Sequence, residues 1–426
     1  MRESNAVWSL PRRLGFLVLA IFLLLNSVPT LVAMVPVLGE WLVEGYQALW
    51  NLVIPWIGEH VLGIVEPITV LPNGSGDTTW NYVQLFGIVM LSLVVGSTWA
   101  FADRKRRDYV ALNYWTMIVV RYALAWAMVM YGLIKVFKAQ FPFPGLMTLT
   151  QTYGEASPMG LAWTFMGYSP GYNLFTGSAE VLAGVLLLTR RTTTFGALVA
   201  VGVTANIAAM NYCYDIPVKL FSSILLLMAC YLLGNDMRRV ADLLVFNRAT
   251  APVEILPHFT RRWARIARVV LKTIFMLLLA ALGVMAWSQA REYGPDGPRE
   301  PLYGLYEVES FSVGGVVRPP LTTDGPRWRQ LIVEQFGFAV VRTMDGKRGF
   351  FGAKTDVDGH TLTLHRGGEQ PVEYKLHYEQ LGPDALVLRG EIAEGPAQIT
   401  LRKLNPNDFE LVKRGFHWVN EYPYNR

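Results

Sequence analysis

The sequence predicts an α-helical membrane bundle of about seven transmembrane helices, followed by a small antiparallel β domain. Three observations predict it. The 426-residue chain is 52% hydrophobic and 17% charged, with 13 Trp and 21 Phe, a composition more apolar and aromatic than that of an ordinary soluble protein. Apolar runs of about 17–25 residues, enough to cross roughly 30 Å of hydrocarbon, recur near 14–37, 80–101, 114–137, 173–189, 194–212, 218–234 and 268–288. After about residue 300 these runs stop, and short segments alternate apolar with polar residues.

The first run follows MRESNAVWSLPRR and continues past Asn26 and Pro29 to Leu38 without a small-x-small cleavage site. It therefore reads as an uncleaved span rather than a signal peptide. Lys and Arg set the orientation, because basic loops stay in the cytoplasm. Arg2, Arg12, Arg13, the stretch DRKRRD at 103–108, Arg190, Arg191 and the arginine-rich 238–268 segment all fall on one side of a seven-span arrangement. The loop from Gly39 to Thr79 has no Lys or Arg but carries Glu40, Glu44, Glu59, Glu66 and Asp77. This pattern predicts a cytoplasmic N-terminus and an extracytoplasmic C-terminal domain. The Trp-rich loop itself predicts an amphipathic helix lying along the outer membrane surface. Within 249–267, RRWARIAR predicts an interfacial lead-in to the seventh span. The formal net charge of +5 is distributed by topology, so no nucleic-acid partner follows from it.

These features divide the chain into two spans with an outer amphipathic segment (1–112), a four-helix core (113–236), a basic segment with the seventh span (237–292) and the β domain (300–426). The linker is YGPDGPREP at 293–301. The predicted strands are YGLYEVESFSV, RQLIVEQ, GFAVVRTM, HTLTLHR, VEYKLHYEQ, ALVLRGEI, AQITLRKL and FELVKRG, separated by Gly, Pro, Asp and Asn. Their regular spacing favours a small antiparallel barrel or sandwich, with a lipocalin-like barrel as the first choice.

A carboxylate inside a span costs roughly 2.5–3.5 kcal/mol on insertion scales, so Glu180, in the middle of the fourth run, needs a reason to be there. Gly177, Glu180 and Gly184 follow i, i+3, i+7, which puts two glycines beside the carboxylate on a face where another helix can approach closely. The glutamate is expected to point into the bundle. In the third run Arg121, Ala125, Met128, Gly132 and Lys135 form one stripe carrying two cations, and the fifth run offers Gly202, Asn206 and Cys213 at similar spacing. Either Lys135 or Arg121 can reach Glu180. Two readings stand: a structural clasp between spans, or an outward-opening polar pocket lined by Glu180, Lys135, Asn206, Asn211, Asp215 and Lys219.

At YGLIKVFKAQFP, GSAEVLAGVLLLTRR and NYCYDIPVK the chain resembles the DoxX-like family of membrane proteins. The match rests on Gly132 and Lys135 at the outer end of one span, Glu180 and Arg190 in and after the next, and a following span with Asn. It covers about residues 114–236. The tail RGFHWVNEYPYNR looks like the ending of longer DoxX-like proteins that append an outer β domain. The resemblance implies a four-helix membrane core in the bacterial inner membrane. It also implies a link to redox or sulfur metabolism, since DoxX-named relatives include a subunit of a thiosulfate:quinone oxidoreductase. Other relatives of this fold are carriers or receptors.

Resident redox groups find few ligands in the sequence. Of the six His, His60 and His258 alone lie outside the β domain, and neither is within a span, which argues against a bis-histidine haem. Cys213 and Cys230 make no CxxC pair, and NGSGD at 73–77 is a turn rather than a dinucleotide fingerprint. No cofactor is evident, and a redox role would need a bound quinone or partner subunits. In the β domain, Asp356, Asp358, His360 and His365 read as a turn and strand rather than a metal site. His417 is expected as a packed, hydrogen-bonded core residue, with Arg414 and Glu421 clamping the tail. The leading expectation is a membrane protein that binds a small apolar or amphipathic ligand, or a partner subunit, from the outer side. The alternatives are a quinone-linked oxidoreductase component, and an export or cargo-binding receptor using the β domain. On the pocket reading, Glu180→Gln lowers ligand binding more than stability.

Overall fold

The structure, a computed structural model, describes residues 7–35, 37–68, 74–251, 261–294, 297–368 and 371–425. The chain opens with four helices, α1 (Leu10–Val32), α2 (Leu38–His60), α3 (Thr79–Ala102) and α4 (Val110–Val136). A single turn, α5 (Leu146–Leu149), and α6 (Pro158–Tyr168) follow, then α7 (Pro170–Leu187), α8 (Thr193–Cys213), α9 (Lys219–Gly234), α10 (Met237–Leu244) and α11 (Arg262–Tyr293). Two compact units result. One comprises residues 1–140 and 169–289, the other residues 141–168 and 290–426.

In the helical unit, α1, α3, α4, α8 and α11 are long and apolar enough to cross a membrane, and α9 with α10, bent by 74°, adds a sixth if the pair counts as one span. The expected fourth and sixth spans are the short helices α7 and α9, with 18 and 16 residues. At 1.5 Å per residue they reach about 27 and 24 Å, a little less than the roughly 30 Å of hydrocarbon. Local chemistry explains the helix starts. Thr78 and Asn81 form a capping box at α3, and Ser169 accepts from the Tyr172 amide to start α7 ahead of Pro170. The Asp77 carboxylate caps α9 from a distant loop, accepting from the amides of Lys219 (2.8 Å) and Leu220 (3.0 Å).

α4 is the hub of this unit. Half of its most apolar stretch is buried, against 11–28% for the other four long apolar helices. Val120, Leu124, Ala125 and Met128 of α4 pack with Ala183 and Leu187 of α7, Ala197 and Ala200 of α8, and Met228 and Leu232 of α9. At one end of the bundle Asn113, Tyr231 and Asn235 form a hydrogen-bonded chain between α4 and α9, at 2.6 and 2.8 Å. On α1, Arg13 donates to the carbonyls of Arg104 and Arg106, closing the α3–α4 turn. The Trp-rich segment is the helix α2, which packs Trp50 against Gly87 of α3 and leaves Trp41, Leu49 and Leu52 exposed. RRWARIAR, from Arg262 onward, is continuous with α11, so the helix starts earlier than the expected span; part of the preceding segment lies outside the described residues.

The second unit is built on an antiparallel barrel. Its strands are β1 (Gly304–Val313), the two-residue β2 (Val316–Val317), β3 (Trp328–Val333), β4 (Phe338–Thr343), β5 (Arg348–Asp356), β6 (Thr361–Arg366), β7 (Val372–Gln380), β8 (Ala385–Ile392) and β9 (Gly395–Leu404). β1 pairs with both β3 and β9, which closes eight strands, while β2 extends β1 at a hairpin. Phe311, Leu331, Leu362, Leu364, Leu376, Leu388, Ile399 and Leu401 fill the interior, as expected when eight strands enclose a space just wide enough for side chains. Part of the outer face is apolar too. Leu305, Ile332 and Val340 are covered by Leu146 and Met147 of α5. Glu334 holds this turn in place by accepting from the Met147 amide at 2.7 Å, and the Glu155 carboxylate pairs with Arg348. Burial pushes the Glu334 carboxyl above the usual carboxylate range, partly offset by the amides of Met147 and Leu146.

One strand expectation needs correction, and one strand was missed. FELVKRG is not a strand: Glu410–Lys413 is one helical turn, α12, because β1–β9 closure leaves no free edge for another strand. β5 went unpredicted, because Gly349 and Gly352 interrupt its alternation; Gly352 sits under the exposed His365 ring, which would have to move aside for a side chain there.

Candidate functional site

Glu180 faces the bundle and is 2% exposed; Lys135 is 4% exposed. The two form an ion pair at 2.6 Å between α7 and α4. The backbones approach this closely because the seam is glycine. A methyl group at Gly132 would lie 2.7 Å from the Gly177 carbonyl oxygen, and one at Gly184 would lie 2.9 Å from the Ala125 carbonyl. All five residues of the predicted stripe, Arg121, Ala125, Met128, Gly132 and Lys135, are buried. Lys135, not Arg121, is the partner of Glu180. The offset of 14 positions between the two cations separates them by about 21 Å along the helix.

The seven predicted site residues do not share one pocket. Asn206 is exposed, and this expectation is corrected: Gly202, Asn206 and Cys213 mark the outward face of α8, whereas Gly196, Ala200, Thr204, Ala208 and Asn211 mark its buried face. α8 has small apolar residues on all sides, so spacing alone did not choose the face. Asn211 is buried and donates to the Val218 carbonyl at 3.5 Å, closing the α8–α9 turn. On the same turn the Lys219 ammonium lies 2.8 Å from Asp215 and 3.8 Å from Asp77. The Asp215 side chain is 84% exposed. Asp77 completes this cluster, and nothing in the local spacing of the sequence pointed to it.

Arg121 belongs to a different place. A groove of about 1210 Å³ runs between the end of α1, the first half of α4, the end of α7 and the first half of α11. Its walls are mainly apolar, with Leu31, Met34, Ile118, Phe275 and Leu278 among them. Five cations, Arg121, Arg190, Arg261, Arg268 and Lys272, also line it, and no Asp or Glu does among the described residues. Phe275 packs edge-on to Tyr122 at 5.0 Å, fixing α11 against α4. Arg121 is 8% exposed; it donates to Thr193 Oγ1 at 3.2 Å and lies over the Tyr122 ring at 5.0 Å. Its Nε has no acceptor among the described residues. Arg190 is hydrogen-bonded to the Tyr114 hydroxyl.

In the β domain, Asp356 accepts from the Gly359 amide at 3.0 Å in a turn, and no group of three metal-ligating side chains occurs among the described residues. The expectation for His417 is corrected. It is exposed, as are Phe416, Trp418 and Tyr422, because the tail folds back on itself outside the barrel core. Arg414 bonds Asn420 there and lies over the Tyr424 ring at 4.6 Å, and the Tyr424 hydroxyl donates to Glu410 at 2.8 Å.

No family model matches the chain, and no solved structure matches it. A match is found with a protein of Bacillus subtilis (strain 168) named uncharacterized protein YwoB, 42% identical over 119 residues. That stretch is 28% of this chain and 75% of the relative.

Proposed function

The chain belongs to the protein family of YwoB from Bacillus subtilis, and we propose that it is an integral membrane protein whose helical unit binds an amphipathic molecule in the groove between α1, α4, α7 and α11. The observation that carries this reading is the groove itself. Its volume of about 1210 Å³ exceeds the roughly 300–1,000 Å³ of sites for compact small molecules, and its lining joins apolar walls to a cluster of cations. A long amphiphile matches that combination. The DoxX-like motif order over 114–236 supports a four-helix core of α4, α7, α8 and α9. The distribution of Lys and Arg supports a cytoplasmic N-terminus in a bacterial inner membrane, with the barrel outside.

On this reading the Glu180–Lys135 pair is a clasp and not the binding site. A direct ion pair on a glycine-packed seam leaves no space for a ligand between the partners. A quinone fits the groove less well than an anionic amphiphile, because a neutral headgroup offers no negative charge to the buried Arg121 guanidinium. Mass spectrometry of gently solubilised protein tests the proposal. Wild type is expected to retain an amphiphile, and Ala267→Trp, which fills the groove wall, is expected to lose it while keeping its thermal stability. Glu180→Gln is expected to retain it, the reverse of the outcome on the pocket reading. Equal retention by wild type and Ala267→Trp sinks the assignment.

A further inference from the structure

We propose that α10 is an in-plane membrane anchor: it lies along the bilayer surface at the end of α9, with Leu243, Leu244, Val245 and Phe246 set into lipid at the boundary between headgroups and acyl chains. The inference rests on the integral-membrane reading above, takes α9 as the span, and is independent of the groove. Three observations carry it. The first is the corner between the two helices. α10 leaves α9 at 74°, so beside a helix that crosses the bilayer it runs close to the membrane plane. The bundle builds this corner. Asn235 accepts from Asn113 of α4 at 2.8 Å and donates to the Tyr231 carbonyl at 2.8 Å, and Asp236 accepts from Thr194 of α8. Side chains of two other helices thus hold the two residues at which the chain turns.

The second is the division of α10 into two arcs. Met237, Val240, Ala241 and Leu244 follow i, i+3, i+4, i+7, with Leu243 beside them, whereas Arg238, Arg239 and Asp242 occupy the opposite arc. Asp236, Arg238, Arg239 and Asp242 are too many charges for one turn and a half of helix in hydrocarbon. α10 is therefore a poor continuation of the span.

The third is exposure. Val240 packs on the core of the bundle, but Leu243, Leu244, Val245 and Phe246 are 58, 63, 73 and 58% exposed. A run of large apolar side chains in water marks a surface that another apolar phase covers. This run has a neighbour that names the phase. On α9, Leu227, Cys230 and Gly234 form an exposed stripe at i, i+3, i+7 that leads to the exposed Met237 at the start of α10. In a bundle that crosses a bilayer this stripe meets acyl chains, and the lipid that covers it reaches α10. The charged arc needs water and the apolar arc needs lipid, and the membrane–water boundary offers both.

The test uses the full-length protein in phosphatidylcholine nanodiscs. In a Cys213→Ser, Cys230→Ser background, Leu243→Cys, Leu244→Cys, Arg238→Cys and, on α9, Leu227→Cys are each spin-labelled. Electron paramagnetic resonance then compares collisions with oxygen, which concentrates in lipid, and with a water-soluble nickel chelate. The labels at Leu243 and Leu244 are expected to show an oxygen-to-nickel ratio severalfold above that at Arg238 and below that at Leu227, because the boundary is shallower than the core of the bilayer. Having two labelled positions on the apolar arc keeps the proposal testable if one variant fails to fold.

Nickel access at Leu243 and Leu244 equal to that at Arg238, with Leu227 in lipid, overturns the anchor while leaving the integral-membrane reading intact. Labels at Leu243 and Leu244 shielded from both reagents overturn it in favour of a protein surface covering α10. A label at Arg238 as deep as that at Leu227 overturns it in favour of a bent span that continues through α10. Free nickel access at Leu227 removes the membrane reading and the anchor together.

Discussion

Lys135 and Glu180 should behave as one unit whose halves cannot be removed separately, and a double-mutant cycle measures this. At 2.6 Å, the gross attraction of two unit charges in an effective dielectric of about 20 is about 6 kcal/mol. Against it stands the cost of keeping two ions out of water, several kcal/mol per ion. The intact pair is therefore expected to be close to neutral relative to a well-packed apolar pair. Removing one partner strands the other charge, at a cost of roughly 3–5 kcal/mol. Lys135→Met and Glu180→Leu are each expected to destabilise by that amount, while the double variant loses less than either single. Glu180→Gln keeps the shape but strands the ammonium, so it too loses stability. The assay is unfolding of the purified full-length protein in neutral detergent, followed by tryptophan fluorescence. Costs that simply add in the double variant, with coupling under about 0.5 kcal/mol, would refute the clasp.

Two further outcomes follow from the same geometry. Gly184→Leu places a side chain against the Ala125 carbonyl and Val129 at the α4–α7 seam; it should destabilise by about 1–3 kcal/mol or more in the same unfolding assay, whereas Gly202→Leu on the exposed face should change little. Glu334 has a folded pKa raised by burial, so its contribution is fully present below the unfolded value of about 4.3 and is lost as pH rises through the higher folded value. Hydrogen-exchange protection of residues 145–150 should therefore fall over that window in the full-length protein, and Glu334→Gln should flatten the dependence; protection that increases with pH contradicts the sign.

What was legible in the sequence was whatever a single helix or strand encodes by itself. Glu180 between Gly177 and Gly184 identified the face of α7 that meets another helix, because a carboxylate and two glycines on one side have few other uses in a span. Arg121 to Lys135 identified the buried stripe of α4 in the same way. α8 defeated this logic, since Gly202 and Ala200 are equally small and only the packed neighbours decide which is inside. In the barrel, the Leu362–Leu364 and Ala397–Ile399–Leu401 alternations were legible, whereas β5 was hidden by Gly349, which lies against Phe351, and Gly352, which lies under His365 of β6. The Asp77 cap on α9 and the groove depend on segments far apart in the chain, and no local pattern encodes their meeting.

The two cations of α4 meet different fates because α7 is short. From Gly177 to Gly184 the α7 backbone lies against α4, and that close approach sets the Lys135 ammonium directly on the Glu180 carboxylate. α7 then ends at Leu187, and its last contribution to the wall is Leu188, Thr189 and Arg190. Beyond that point α4 is faced by the α7–α8 turn and by the loosely buried α11, so Arg121 lines the groove and pairs with no carboxylate among the described residues. A longer α7 carrying a second carboxylate would close the groove and repeat the clasp. The Glu180 carboxylate instead stands at the Lys135 end, where it fixes the helix pair. The resulting seam holds α4 in place, and at the other end of the helix the groove keeps its apolar walls and the buried Arg121 guanidinium, the two features an anionic amphiphile would need to be recognised there.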